Sequence, residues 1–130
     1  MFFPLHISFM AIATSGLIAG VSAAIFFRKK KNWLKIHKSL NSFSLSGIAA
    51  GIIMAFIYVS RTAGRHIDGL HQITGLAAFI LALITLMLGF YQFKTKNKLA
   101  VRTAHRLFGR FSLLLLLAAI TLGLILINII

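Results

Sequence analysis

The chain has 130 residues, of which 59% are hydrophobic, a mean hydropathy of +0.95, and fourteen Lys and Arg against one acidic residue, for a formal net charge of +13. That balance is too apolar for one soluble domain of this size and places the protein in a membrane. No cysteine is present, which excludes disulfides, iron–sulfur clusters and thiolate metal sites.

Four apolar segments, roughly residues 4–27, 39–60, 70–93 and 107–130, are each long enough at about 1.5 Å per residue to cross a hydrocarbon core of about 30 Å. The expected class is an all-α membrane protein, a four-transmembrane-helix bundle forming a single domain over residues 1–130, with no soluble domain before or after the helices. Arg28, Lys29, Lys30 and Lys31 follow the first segment and nothing basic precedes it. This is the reverse of secretory-signal charge order, so the segment is read as a membrane helix entering from outside.

The first segment carries His6, then Gly16 and Gly20 at offsets ten and fourteen, and the second carries Gly47 and Gly51 at the same offsets from His37. A short loop with Arg61, Arg65, His66 and the one acidic residue, Asp68, leads to the third segment. There His71 is followed by Gly75 and Gly89 at offsets four and eighteen, and in the fourth segment His105 is followed by Gly109 and Gly123 at those same offsets. At about 100° per residue, Gly75 and Gly89 fall within roughly 40° of His71 on one helix face. Segment one therefore resembles segment two, and three resembles four. Because each like pair is antiparallel, helices one and three map onto two and four by a pseudo-twofold axis in the membrane plane, an inverted repeat.

The basic residues fix an expected topology. Six lie between Arg28 and Lys38, six between Lys94 and Arg110, and only Arg61 and Arg65 in the middle loop. By the positive-inside rule the first and third loops are cytoplasmic and both termini lie outside. The charge then orients the protein and meets anionic lipid head groups; without a soluble basic domain or an aromatic platform, nucleic acid is not an expected partner.

His6, His37, His71 and His105 each stand at the head of a segment, so alternating helix direction sorts them into two layers, His6 with His71 outside and His37 with His105 inside. Polar groups recurring at matched depths in an apolar interior face one another or a cofactor. An imidazole with side chains removed above and below it suits a flat, bulky ligand, and haem is the candidate. The glycines at offsets fourteen and eighteen lie about 21 and 27 Å along the helix from their own histidine, at the depth of the opposite site. They serve either haem clearance or plain helix packing. His66, five residues before His71, does not share its face and is read as a loop residue.

These stretches, His6-Ile-Ser-Phe-Met10, His37-Lys-Ser-Leu, Gly69-Leu-His71-Gln-Ile-Thr-Gly75-Leu and Ala104-His105-Arg106-Leu-Phe-Gly109-Arg110, resemble the four core helices of the cytochrome b561 family of di-haem transmembrane electron carriers. The resemblance implies two non-covalent b-type haems, ligated by His6 with His71 and by His37 with His105. Eukaryotic ascorbate-oxidising members add a helix on each side of this core, and their ascorbate motifs are poorly matched here. The resemblance is thus to a core-only, prokaryotic- or archaeal-type member meeting a membrane quinol-type carrier, a small reductant or a separate redox protein, with a homodimer as one assembly it admits.

Bis-imidazole ligation leaves no open position at iron, which suits electron transfer rather than reaction at the metal. Lys35, Lys38, Arg102 and Arg106 flank the inner histidines as contacts for propionates or substrate; Arg61, Arg65 and His66 do so outside. The alternatives are a small structural or assembly subunit and a His-lined transporter or channel. The latter usually keeps a carboxylate at mid-membrane, and the single one here sits in a loop.

Overall fold

A computed structural model describes residues 1–62 and 64–129. The fold is all-α, with α1 Phe2–Phe26, α2 Trp33–Thr62, α3 Leu70–Tyr91 and α4 Lys98–Leu126. All four are long and apolar enough to cross a membrane. The chain divides into two compact units, Met1–His66 and Ile67–Ile130, each an antiparallel helix pair.

Two helices start earlier than the apolar pattern suggests, α2 at Trp33 rather than 39 and α4 at Lys98 rather than 107. Hydropathy marks where the hydrocarbon begins, whereas the helix begins where its backbone donors find a cap. Asn97 supplies one, its side chain accepting from the Ala100 N–H at 3.2 Å. Lys and Arg are good helix formers, so nothing stops the helix among the charges. Lys35, Lys38, Arg102 and Arg106 accordingly ride on helical turns, not loops, and His37 and His105 lie inside their helices. The fourth helix ends at Leu126, ahead of its expected end at residue 130, which lies outside the described residues; Asn128, with φ 55°, turns the chain in the left-handed conformation that Asn tolerates. In α1, Pro4 falls in the first turn, where its missing N–H costs nothing.

Each pair closes on small residues. In the first unit the buried positions are Ala13, Thr14, Leu17, Gly20 and Ala23 of α1 with Ser44, Leu45, Ile48 and Gly51 of α2. A Cβ added at Gly16 would stand 2.5 Å from the Ser44 hydroxyl oxygen, and one at Gly47 would stand 3.0 Å from Ala13 Cβ. These two glycines let the backbones approach, the usual device where lipid gives helices no hydrophobic reason to associate. In the second unit Ala78 of α3 packs with Ser112, Leu116 and Ala119 of α4 buried. Large apolar side chains such as Ile12 (62% exposed) and Phe43 (67%) point outward instead. Several hydroxyls within the helices bond the carbonyl four residues back, as Ser15 does to Ala11, Ser46 to Ser42 and Thr121 to Leu117, so these need no outside partner.

Gly47→Leu is expected to destabilise the first unit by about 1–3 kcal/mol, because Ala13 cannot rotate away from the added volume. Denaturation in mixed micelles, followed by helix content, checks this; Ile12→Ala, on the exposed surface, should change the midpoint little.

Candidate functional site

The four helix-borne histidines make one and the same contact. His6 Nδ1 lies 2.8 Å from the Gly51 carbonyl oxygen, and His37 Nδ1 lies 2.8 Å from that of Gly20. In the second unit His71 Nδ1 is 2.8 Å from the Ala119 carbonyl and His105 Nδ1 is 2.8 Å from that of Thr85. In every case the acceptor stands fourteen residues after the histidine of the partner helix. Each unit thus obeys its own local twofold, as the inverted repeat predicts.

The bond fixes the chemistry of the ring. A carbonyl only accepts, so Nδ1 carries a proton and donates it; in the neutral ring Nε2 then holds the lone pair. A helix carbonyl already bonded to the N–H four residues on retains a second lone pair for this purpose. What must be arranged is room for the ring. At Gly20 and Gly51 the accepting residue itself lacks a side chain. At Thr85 and Ala119 the room is made one turn further on: a Cβ at Gly89 would lie 3.0 Å from His105 Cε1, and one at Gly123 would lie 2.9 Å from His71 Cε1. Gly89 and Gly123 therefore seat the partner helix's imidazole.

The other glycines differ in what they meet. A Cβ on Gly109 would stand 3.3 Å from Thr85 Cγ2, and one on Gly75 would touch Ala119 Cβ at 3.9 Å, ordinary contact. His71 also borders an open cleft of about 400 Å³ in the second unit, shared with Asp68, Gln72, Leu122 and Leu126. In the first unit His66 stacks on Phe56, with centroids 3.7 Å apart and planes 11° apart, and its Nε2 is 3.3 Å from the Ser60 hydroxyl. The Arg61 guanidinium lies 4.8 Å over the Phe2 ring. The acceptor carbonyls of Thr85 and Ala119 carry no signal in a sequence, since any residue supplies one. Asn41, four residues after His37, was readable as a polar residue inside an apolar segment; its amide nitrogen stands 2.9 Å from His37 Nδ1.

Antiparallel pairs of membrane-length helices, each helix presenting a histidine to a backbone carbonyl of its partner, define a class of protein, the multi-pass membrane proteins with histidines set into their helix seams. The sequence narrows that class. A model of the eukaryotic cytochrome b561 family matches residues 3–128, nearly the whole chain, and the protein belongs to the cytochrome b561 family. Membership assigns it transmembrane electron transfer by way of haem. No curated protein and no solved structure matches the chain.

The residues present suit haem on their own terms. An imidazole that donates Nδ1–H to a carbonyl would have Nε2 left to ligate iron, and such an Nδ1–carbonyl bond is the outer-sphere contact that orients ligands of this kind. If these histidines ligate haem, Gly123→Leu should disturb the centre containing His71, and Gly89→Leu the centre containing His105, each at a cost of about 1–3 kcal/mol in local fit. Potentiometric titration, with the centres told apart by histidine substitutions, checks the crossing: damage to the centre on the glycine's own helix would contradict it.

Proposed function

We propose that the chain carries electrons across the membrane through two b-type haems, one held by His6 and His71 and the other by His37 and His105. The observation that supports this most is the single geometry shared by four histidines, each with Nδ1 committed to a carbonyl on its pair partner. Structural histidines at an interface have no reason to repeat one contact at one offset. The pairing itself rests on helix direction and on the family resemblance. Bound haem would supply a one-electron ferric–ferrous couple, held by these histidines. The chain's part is to hold each ring in one tautomer and one orientation, to exclude water, and to keep the ligand geometry the same in both oxidation states.

Both termini face the outside and the two basic turns face the cytoplasm in this reading, where Lys35, Lys38, Arg102 and Arg106 meet propionates, substrate or anionic lipid head groups. Arg61, Arg65 and His66 occupy the outer side. A quinol-type carrier of the membrane, a small reductant or a separate redox protein exchanges electrons at these faces, with a homodimer as the assembly to test by sedimentation.

Pyridine haemochrome analysis of purified protein should return two haems b per chain. His71→Ala should remove one redox centre and leave the centre of His37 and His105 spectroscopically intact; loss or survival of both in a well-folded sample would refute the pairing. Because the chain has no cysteine, orientation is open to single-site labelling. Lys96→Cys should react with an impermeant maleimide only from the cytoplasmic side, and Ile67→Cys only from outside.

A further inference from the structure

The twofold of the second unit relates each residue of α3 to the one thirty-four positions later in α4, as His71 to His105, Thr85 to Ala119 and Gly89 to Gly123. The charged side chains break it. Asp68, three residues before His71, stands where Arg102 precedes His105; Gln72, directly after His71, stands where Arg106 follows His105; and Leu76 corresponds to Arg110. One histidine therefore has a single carboxylate for company where the other has three guanidinium groups.

The structure keeps these groups beside their histidines. Asp68 and Gln72 line the same cleft as His71. Arg102 and Arg106 ride on the helical turn that carries His105, Arg102 about 4.5 Å before it along the axis. The backbone opposes the carboxylate, but by less. Because α3 starts at Leu70, His71 lies in its first turn, where the helix dipole contributes about half a positive charge; α4 starts at Lys98, about 10 Å ahead of His105. A full negative charge outweighs that half. The loop before α3 adds two basic residues, Arg61 and Arg65, whereas the stretch from Lys94 to Arg110 holds six and no acid.

An electron arriving at a haem removes one positive charge from iron, so nearby cations favour the ferrous state and raise the midpoint, and nearby anions lower it. We infer that the arginines of α4, set against Asp68 and Gln72 in α3, hold the haem centre built on His105 at a higher potential than the centre built on His71, so that electrons run downhill from the His71 end to the His105 end. This rests on the proposed reading in which His71 and His105 ligate different haems. One electron passes at a time, taking iron from ferrous to ferric at the first centre and from ferric to ferrous at the second. A quinol-type or other small reductant refills the first, and a separate redox protein drains the second. Asp68, Arg102 and Arg106 are all exposed, so salt screens their effect. A potential difference set by ligand geometry has no such dependence.

The test is spectroelectrochemical titration of the haem-loaded protein at low and high salt, with each centre identified as the one lost in His71→Ala or His105→Ala. The His105 centre should have the higher midpoint, and the gap should narrow as salt rises. Asp68→Asn should raise the midpoint of the His71 centre alone. Arg102→Gln with Arg106→Gln should lower that of the His105 centre alone, while the charge-keeping pair Arg102→Lys with Arg106→Lys leaves it in place. Equal midpoints or the opposite order in the unsubstituted protein overturns the inference, as does failure of either charge removal to move its own centre. An equal fall with the lysine pair assigns the arginines a structural role and overturns it too. Should the glutamine pair lose haem, Asp68→Asn and the salt series decide: an unmoved His71 midpoint or a salt-independent gap overturns the inference, and a raised midpoint with a gap that narrows supports it. Loss of the same centre, of both or of neither in the two histidine variants overturns the two-centre reading itself, before any charge variant is made.

Discussion

The hydrogen bond from a histidine Nδ1 to a backbone carbonyl of the neighbouring antiparallel helix is the constraint on which the rest of the molecule depends. It sets the tautomer, which decides whether the ring is a ligand. It also sets how near the two helices must come. A ring cannot reach the second lone pair of a helix carbonyl past a full-sized side chain, so the bond requires a missing side chain close to the acceptor. The small-residue seams of both units, and the glycine offsets counted from the histidines, follow from that requirement.

The membrane strengthens the constraint. In hydrocarbon an imidazole N–H without an acceptor has no water to turn to, and the same holds for every hydroxyl along these helices. Serine and threonine solve the problem locally by bonding the carbonyl one turn back, which leaves them indifferent to their neighbours. Histidine is too rigid to reach its own backbone in this way. It must look across to another helix, and so its presence couples two segments whose apolar surfaces would otherwise slide freely in lipid. Thr14 and Ser44 are the exceptions, buried at 6% and 0% exposure in the seam of the first unit with hydroxyls that find no partner.

Much of this was legible in the chain. Four apolar segments, the histidine at the head of each and the glycines at repeated offsets specify the class, the number of spans and the twofold relation of α1 to α2 and of α3 to α4. Helix starts were less legible, because Lys35 and Arg102 mark the edge of the hydrocarbon while the backbone continues to coil until Trp33 and Asn97. The acceptors at Thr85 and Ala119 were not legible at all, since a carbonyl leaves no trace in residue type; only the glycine one turn later betrays them. The glycines themselves read ambiguously for a physical reason. Absence of a side chain looks the same whether it admits a helix, as at Gly16 and Gly47, or an imidazole, as at Gly89 and Gly123.

The two units solve one steric problem in two ways. In the first unit the acceptor residue is glycine, so the ring lies against bare backbone at Gly20 or Gly51 and the next turn is free to carry alanine, Ala24 or Ala55. In the second, Thr85 and Ala119 keep their side chains and Gly89 and Gly123 open the turn beyond. Within each unit the twofold makes the two histidine seats alike, so any difference between them must come from side chains that break it. In the first unit those near the rings are few, Asn41 against Met10 one turn after each histidine and Trp33 against Phe2 one turn before it, and both departures fall on the His37 side.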